Sequence, residues 1–251
     1  MGMIMKISNN ITVSVEDSYE DMGVRAADVF AAALKQAPTG IFGFATGGTP
    51  LSMYAELIRR YEAGELDFSG ITTYNLDEYY PILKSNDQSY DYFMRENLFN
   101  HINVAPVRIN LPNGEAPDPE AECARYEAEI CASDGLEMQL LGIGENGHIA
   151  FNEPADCFSA ATNYTPLTES TITANARFFA SADEVPKHAL TMGIKTIMMA
   201  KKILMIATGS KKAAILRDAL LGDITPRVPA SALQLHRDVT VVLDREAAAL
   251  L

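Results

Sequence analysis

The chain has 251 residues, of which 48% are hydrophobic and 21% are charged, as is typical of a soluble globular protein with a full core. Its formal net charge of −13 argues against nucleic acid or an anionic membrane as a partner, because both are negatively charged. No apolar run reaches the roughly 18 residues of a membrane span, no secretory signal is evident, and three cysteines without a CxxC pair are typical of reduced thiols, so we expect a cytoplasmic protein.

Apolar segments of strand length alternate with longer segments of helical period. The predicted strands are Ile41–Ala45, Thr72–Leu76, Val107–Leu111, Met138–Ile143, Lys202–Ala207 and Val239–Leu243. The predicted helices are Ser18–Gln36, Pro50–Ala63, Tyr90–Leu98, Pro119–Ala132 and Lys211–Leu220. This alternation predicts an α/β fold with a mainly parallel central sheet.

The alternation weakens between Asn152 and Pro186, where small polar residues are frequent. A segment of this length without a clear period is often a functional lid. The turn-rich stretch Pro112–Pro119 is short and is interpreted as a loop within one domain. We therefore predict a single domain over residues 1–251 with a lid segment at approximately residues 155–190.

A loop rich in glycine and threonine follows the strand predicted at Ile41–Ala45. Its residues are Thr46, Gly47, Gly48 and Thr49. The glycines allow close approach of a ligand, and backbone N–H groups with two hydroxyls can surround an anion at a helix N-terminus. The loop is neither a dinucleotide fingerprint nor a P-loop. The residues alone fit both an anion site and a tight structural turn.

Two adjacent acids, Asp77 and Glu78, follow the next predicted strand. Their position suits a base held in a partly dry cleft, although one acid can equally cap the turn that follows. Adjacent side chains of an extended segment point in opposite directions. We therefore expect only one of the two carboxylates to face a ligand.

The segment Gly142–Pro154 combines a buried strand end with glycines, a histidine and polar neighbours. The histidine, His148, can exchange protons near neutral pH, and Asn146 and Glu153 can orient it by hydrogen bonds. A structural histidine is the alternative. No HExxH pattern is present and the other three histidines lie in unrelated contexts, so no metal site is predicted.

Two basic residues are candidates for the locally positive site that an anionic ligand of an acidic protein requires. Lys212 follows Gly209 and Ser210 at the start of a predicted helix, where an ammonium group and free N–H groups can meet a phosphate. Arg177 lies in the predicted lid, where its guanidinium can close on the same group. Each of them can also be a solvated surface charge.

In this order, the loops resemble the glucosamine-6-phosphate deaminase (isomerising) family. The matching segments are FATGGTP at Phe44–Pro50, NLDEY at Asn75–Tyr79, GIGENGHIAFNEP at Gly142–Pro154, ARFF at Ala176–Phe179, VPKHALTMGI at Val185–Ile194, GSKKA at Gly209–Ala213 and LQLH at Leu233–His236. The resemblance runs from about Ile41 to Leu243, keeps its spacing throughout, and is most specific at GHIAFNEP.

The resemblance implies a three-layer α/β/α fold in a single domain, shared with phosphogluconolactonases and ribose-phosphate isomerases. It implies conversion of glucosamine 6-phosphate and water to fructose 6-phosphate and ammonia, in amino-sugar catabolism. It implies neither an organic cofactor nor a catalytic metal.

The resemblance also assigns roles to the candidate residues. His148 assists opening of the sugar ring, supported by Glu153 and Asn146, and Asp77 carries a proton between C2 and C1 through an enediol-type intermediate. The residues expected to hold the phosphate are Thr46, Gly47, Gly48, Thr49, Arg177 and Lys212.

Two features depart from many members of the family. Asn146 stands where many carry aspartate, so stabilisation of a charged His148 has to come mainly from Glu153. The stretch Thr162–Thr165, where some members bind an N-acetylated amino-sugar phosphate, has no Lys or Arg, and the C-terminal extension of those members is missing after Leu251. We therefore expect no allosteric activation by that sugar phosphate. The sequence is compatible with a monomer and with a homo-oligomer.

Two alternative functions are a 6-phosphogluconolactonase-like hydrolase and a sugar-phosphate sensor without turnover. A lactonase needs a hydrolytic base but no proton transfer at C2, so the Asn75–Tyr79 loop and the NEP sequence favour the deaminase. A sensor is expected to carry a fused DNA-binding segment or to lack catalytic residues, and this sequence shows neither feature.

Overall fold

A computed structural model describes residues 2–176, 179, 181 and 184–251 of the chain. The strands in this part are β1 (Met3–Lys6), β2 (Ile11–Glu16), β3 (Ile41–Phe44), β4 (Thr72–Asn75), β5 (Asp77–Tyr80), β6 (Ile109–Asn110), β7 (Met138–Leu141), β8 (Asn163–Pro166), β9 (His188–Thr191), β10 (Ile203–Ala207) and β11 (Val239–Asp244). The helices are α1 (Tyr19–Gln36), α2 (Leu51–Glu62), α3 (Tyr90–Asn97), α4 (Pro119–Ala132), α5 (Glu169–Asn175), α6 (Ile194–Met198) and α7 (Ala213–Leu221).

The main sheet of the described chain has the strand order β1-β2-β11-β10-β7-β3-β4-β6. β1 pairs with β2 in the antiparallel sense, and every other pair in this sheet is parallel. From the β3–β7 pair, β4 and β6 continue to one side while β10 and β11 continue to the other. In open α/β sheets, ligands bind beyond the carboxyl ends of the strands at such a switch point.

Helices cover both faces of this sheet. On one face, Phe30 of α1 packs on Phe42 and Phe44 of β3, with ring centroids 5.1 and 5.3 Å apart. Tyr74 of β4 pairs in register with Gly43 and therefore points to the opposite face, where its ring lies 5.5 Å from Tyr126 of α4. The predicted three-layer α/β/α architecture with a mainly parallel sheet in a single domain is confirmed.

Local signals explain where several helices begin. α1 begins after Ser18, whose hydroxyl accepts the Asp21 N–H at 3.0 Å. α4 begins after Asp118, whose carboxylate accepts two backbone N–H groups, and its first residue is Pro119. The helix predicted at Lys211–Leu220 begins instead at Ala213, because Ser210–Lys212 forms a 3-10 turn.

A second, antiparallel sheet of the described chain has the order β5-β9-β8. The predicted lid segment, approximately residues 155–190, contributes β8, α5 and most of β9 to this part of the molecule. Its lack of a clear sequence period therefore reflects short antiparallel strands and a short helix. Its role as a lid stays a prediction, and so do its bounds.

All six predicted strands and all five predicted helices are present. The bounds of α4 are as predicted, and each of the others differs at one or both ends. Strands β1, β2, β5, β8 and β9 and the short helices α5 and α6 were not predicted. Among the described residues, no helix is both long enough and apolar enough to cross a membrane.

Candidate active site

Four loops at the carboxyl ends of β3, β4, β7 and β10 line one cavity of about 770 Å³. Eight predicted site residues line it: Thr46, Gly47, Gly48, Thr49, Asp77, Asn146, His148 and Lys212. Glu153 contacts two of these residues from behind. Arg177 lies outside the described residues. The structure therefore brings together residues that are up to 166 positions apart in the sequence (Thr46 to Lys212).

The loop Thr46–Thr49 is held open by contacts outside the cavity. The Tyr19 hydroxyl donates to Gly48 O at 2.8 Å and accepts the Ser52 N–H at 3.1 Å. Gly47 has a left-handed φ of 104°, and a Cβ atom placed on Gly47 or on Gly48 meets nothing within 4 Å. α2 follows without a side-chain cap. Open space beside the N-terminus of a helix suits an anion better than a turn that packs on itself.

Lys212 supplies a cation to the same end of the cavity. Gly209 precedes it with a left-handed φ of 87°, which turns the chain into the 3-10 turn that carries the lysine. Its ammonium group donates to Ile143 O at 2.7 Å, and burial lowers the pKa of Lys212. On the rim, the exposed Lys211 lies 3.8 Å from Glu145.

His148 is placed by the glycines around it. A Cβ atom on Gly144 would lie 2.3–2.5 Å from three atoms of the imidazole, so the ring occupies the space that any other residue would fill. The Gly144 N–H donates to His148 O at 2.9 Å, and Gly147 takes a left-handed φ of 87°. The glycines of this loop are therefore needed for the position of the histidine as well as for ligand access.

Glu153 is surrounded by hydrogen-bond donors. Its carboxylate accepts Asn146 Nδ2 at 2.6 Å and Thr171 Oγ1 at 2.5 Å, and Glu153 Oε2 lies 3.5 Å from His148 Nδ1. Burial raises the pKa of Glu153, but the facing imidazole and these hydrogen bonds outweigh it and lower the pKa to about 2. The carboxylate is therefore a permanent anion behind His148, and Asn146 fixes it in place.

The segment Gly142–Pro154 is attached to the second sheet through buried side chains. Asn152 donates to Ile149 O at 3.0 Å and to Met192 O at 2.8 Å, and the Phe151 N–H donates to Thr191 Oγ1 at 3.1 Å. In β9, Thr191 pairs in register with Asp77 of β5. The second sheet therefore fixes the position of the His148 loop relative to Asp77.

The adjacent acids of β5 face opposite sides, as the sequence predicts. Asp77 is 6% exposed and lines the cavity, whereas Glu78 is 2% exposed and accepts backbone N–H groups at the start of α3. Burial and the Glu78 carboxylate raise the pKa of Asp77 well above its usual range. Burial also raises the pKa of Glu78 to about 7, against its hydrogen bonds. Perturbed carboxyl groups that line a cavity are candidates for proton transfer.

Sequence reasoning gave no role to Tyr90, Phe151 and Thr171, which also line the cavity. The rings of Tyr90 and Phe151 are parallel within 5°, with centroids 6.1 Å apart. Thr171 follows Thr168, the N-cap of α5, whose hydroxyl accepts the Thr171 N–H at 3.3 Å. The capping pattern was visible in the sequence, but the contact of Thr171 with Glu153 depends on tertiary packing.

The chain is similar to known proteins. The family described as glucosamine-6-phosphate isomerases/6-phosphogluconolactonase matches residues 14–242. A glucosamine-6-phosphate deaminase of Clostridioides difficile (strain 630) is 52% identical over 236 residues, which cover 94% of this chain and 95% of the relative.

Solved structures give the same result. A monomeric glucosamine-6-phosphate deaminase superposes with a TM-score of 0.92 at 46% identity, covering 96% of this chain and 100% of that one. The 6-phosphogluconolactonase of Trypanosoma brucei, at 18% identity and a TM-score of 0.72 over 97% of this chain and 100% of that one, shares the fold. By sequence and by structure, the chain belongs to the family of glucosamine-6-phosphate isomerases and 6-phosphogluconolactonases.

Proposed function

We propose that the protein converts glucosamine 6-phosphate and water to fructose 6-phosphate and ammonia, by aldose–ketose isomerisation and deamination. Relatives of about half identical sequence carry the name of this activity over nearly their whole length. The place of the reaction is amino-sugar catabolism.

One observation carries the proposal: two separate proton-transfer groups face one cavity that also holds an anion site. His148 with Glu153 stands on the loop after β7, and Asp77 stands on the segment after β4. Isomerisation of a cyclic amino sugar needs two such groups, because the ring must open before a proton can move between C2 and C1. Hydrolysis of a lactone needs only one base beside a water molecule.

The residues take the following roles. His148 moves a proton between the anomeric hydroxyl and the ring oxygen, and the charge of Glu153 stabilises the imidazolium form. Asp77 removes the proton from C2 and returns it to C1, for which its raised pKa is suited. Ammonia then leaves C2 as water adds there.

The phosphate binds at the other end of the cavity. The N–H groups and hydroxyls of Thr46–Thr49 and the ammonium group of Lys212 surround open space beside uncapped α2. This is the locally positive site that a chain of net charge −13 needs for an anionic substrate. Arg177 is proposed as a third phosphate ligand from its match to the family motif alone.

The test is ammonia release from glucosamine 6-phosphate by the purified protein, with 6-phosphogluconolactone as a parallel substrate. Ammonia and fructose 6-phosphate in equal amounts are expected, without lactone hydrolysis above the uncatalysed rate. Lactone hydrolysis alone would assign the hydrolase function. Binding of the sugar phosphate without turnover by well-folded protein would assign the sensor function.

We further propose that the protein acts as a cytoplasmic monomer without allosteric activation. A relative of 46% identity is described as monomeric, and Thr162–Thr165 carries no cation for a second sugar phosphate. Light scattering is expected to give the mass of one chain. The rate should depend hyperbolically on substrate concentration and should not change with N-acetylglucosamine 6-phosphate. A sigmoidal curve that this effector makes hyperbolic would contradict the proposal.

A further inference from the structure

We propose that Glu78 is a positioning residue for this reaction, a buried carboxylate next to Asp77 that acts on Asp77 through its charge and holds Tyr90 at the cavity. The inference rests on the proposed function, since it concerns how Asp77 acts. Glu78 does not touch the substrate, because alternation along β5 points its side chain away from the cavity that Asp77 lines.

The Glu78 carboxylate is held by three backbone donors. Its oxygens accept the N–H groups of Tyr79, Tyr90 and Asp91, each at 2.9 Å. The side chain is 2% exposed, and no ion pair links it to a cation of the described residues. Peptide dipoles therefore favour the ionised carboxylate, but they do not outweigh burial, which raises the pKa of Glu78 to about 7.

Capping of α3 alone does not require this carboxylate. Ser89 already serves as the N-cap, and its hydroxyl accepts the Tyr92 N–H at 3.0 Å. Glu78 accepts the two preceding N–H groups, those of Tyr90 and Asp91, across 12 and 13 residues of the chain. The added contacts fix the first residue of α3, Tyr90, whose ring lies 4.8 Å from Tyr79 and lines the cavity.

The groups around Asp77 and Glu78 leave the protonation of Asp77 sensitive to the charge of Glu78. Asp77 is near the hydroxyls of Tyr79, Tyr90 and Tyr126, and shares the cavity with His148, Lys211, Lys212 and Glu145. Glu78 is near Asp91, which itself pairs with Arg95. After burial, the charge of Glu78 is the cause that raises the pKa of Asp77. A like charge on the adjacent residue disfavours the ionised form of Asp77.

The test compares Glu78→Gln with Glu78→Asp. The amide keeps the size and one acceptor but removes the charge, so the acid limb of kcat/KM for glucosamine 6-phosphate should move about one pH unit lower, and kcat should fall about tenfold because Asp77 is a weaker base. The Glu78→Asp variant keeps the charge, but its shorter side chain reaches the N–H groups of α3 less well. Its acid limb should therefore stay near that of the wild type, while its melting temperature falls.

Glu122→Gln is the matched control. Glu122 of α4 is 8% exposed and accepts the Asn113 N–H at 2.8 Å, but it does not line the cavity. Its variant should lose stability without moving the acid limb. If Glu78→Gln lowers only stability and leaves the acid limb in place, Glu78 is a structural cap and the proposal is overturned.

A measurement on the wild type covers the case in which Glu78→Gln does not fold. Aspartate carboxyl carbons are labelled with ¹³C and followed by NMR through a pH titration, with Asp77→Asn identifying the signal. The proposal requires Asp77 to titrate well above the ordinary aspartate range, and titration near pH 4 would overturn it. This result does not depend on turnover, so a protein that released no ammonia would refute the proposed function separately.

Discussion

Two carboxylates at the same cavity have opposite environments. Glu153 lies among donors that favour its charge, and its pKa is lowered to about 2. Asp77 lies in a buried strand beside a second acid, no hydrogen-bond donor to its carboxylate is found among the described residues, and its pKa is raised well above the usual range. Environments that separate the pKa values of two acids in this way assign them different tasks.

The comparison also shows how each environment is built. The segment Gly142–Pro154 contains nearly everything that Glu153 needs, since Asn146 and His148 are its neighbours in sequence. The environment of Asp77 is assembled from distant segments, because α3 and β9 pack on β5. The local polar cluster keeps Glu153 charged. Burial by distant segments keeps Asp77 able to take up a proton.

The largest expected effect is that of Asp77→Asn. Activity should fall about 10²–10⁴-fold, because proton transfer at C2 and C1 is lost. The variant should nevertheless be more stable than the wild type near neutral pH. A raised folded-state pKa means that the folded protein binds this proton more tightly than the unfolded chain, so the charged form costs stability as pH rises above about 4.

Ammonia-release assays and thermal melts between about pH 4 and pH 8 check this prediction. The gain in melting temperature should shrink towards pH 4, where the folded acid is protonated and the acid of the unfolded chain becomes protonated as well. Full activity in the variant would exclude the proton-transfer role of Asp77, and a constant difference in stability across the range would exclude its raised pKa.

A smaller loss is expected when the His148 ring is displaced from its position beside Glu153. Gly144→Ala puts a methyl group into the imidazole, so kcat should fall about 10²-fold through misplacement of the ring. Gly142→Ala is the control, because a Cβ atom there meets nothing within 4 Å. Its methyl group enters the cavity, so KM should rise while kcat changes far less. Equal kinetics of the two variants would contradict the packing of His148 on Gly144.

The parallel sheet and the loops after its strands could be predicted from the sequence, because each depends on short-range patterns. The roles of the loop residues came only from the family resemblance. Strand β5 and the packing of α3 on it could not be predicted, since NLDEY has neither strand length nor a clear period and pairs with β9, more than 100 residues later. The two tasks of Asp77 and Glu78 followed from alternation, but the partner of each acid did not. Tyr90 was assigned to a helix, and only the tertiary contact places it at the cavity.

The smallest expected effect, that of Glu153→Gln, tests the opposite pKa shift. A folded-state pKa lowered from 4.5 to about 2 contributes stability that is fully present above pH 4.5 and is lost as pH falls towards 2. The variant should therefore be about 1–2 kcal/mol less stable than the wild type at neutral pH, allowing for solvent screening of a half-buried group. Urea unfolding at a series of pH values should show the difference closing below pH 4.5.

Glu56→Gln is the control, because the Arg59 hydrogen bond lowers the pKa of Glu56 to about 2 on the surface of α2, away from the cavity. Both variants should lose stability in the same pH window, but only Glu153→Gln should lower kcat, since its carboxylate alone faces His148.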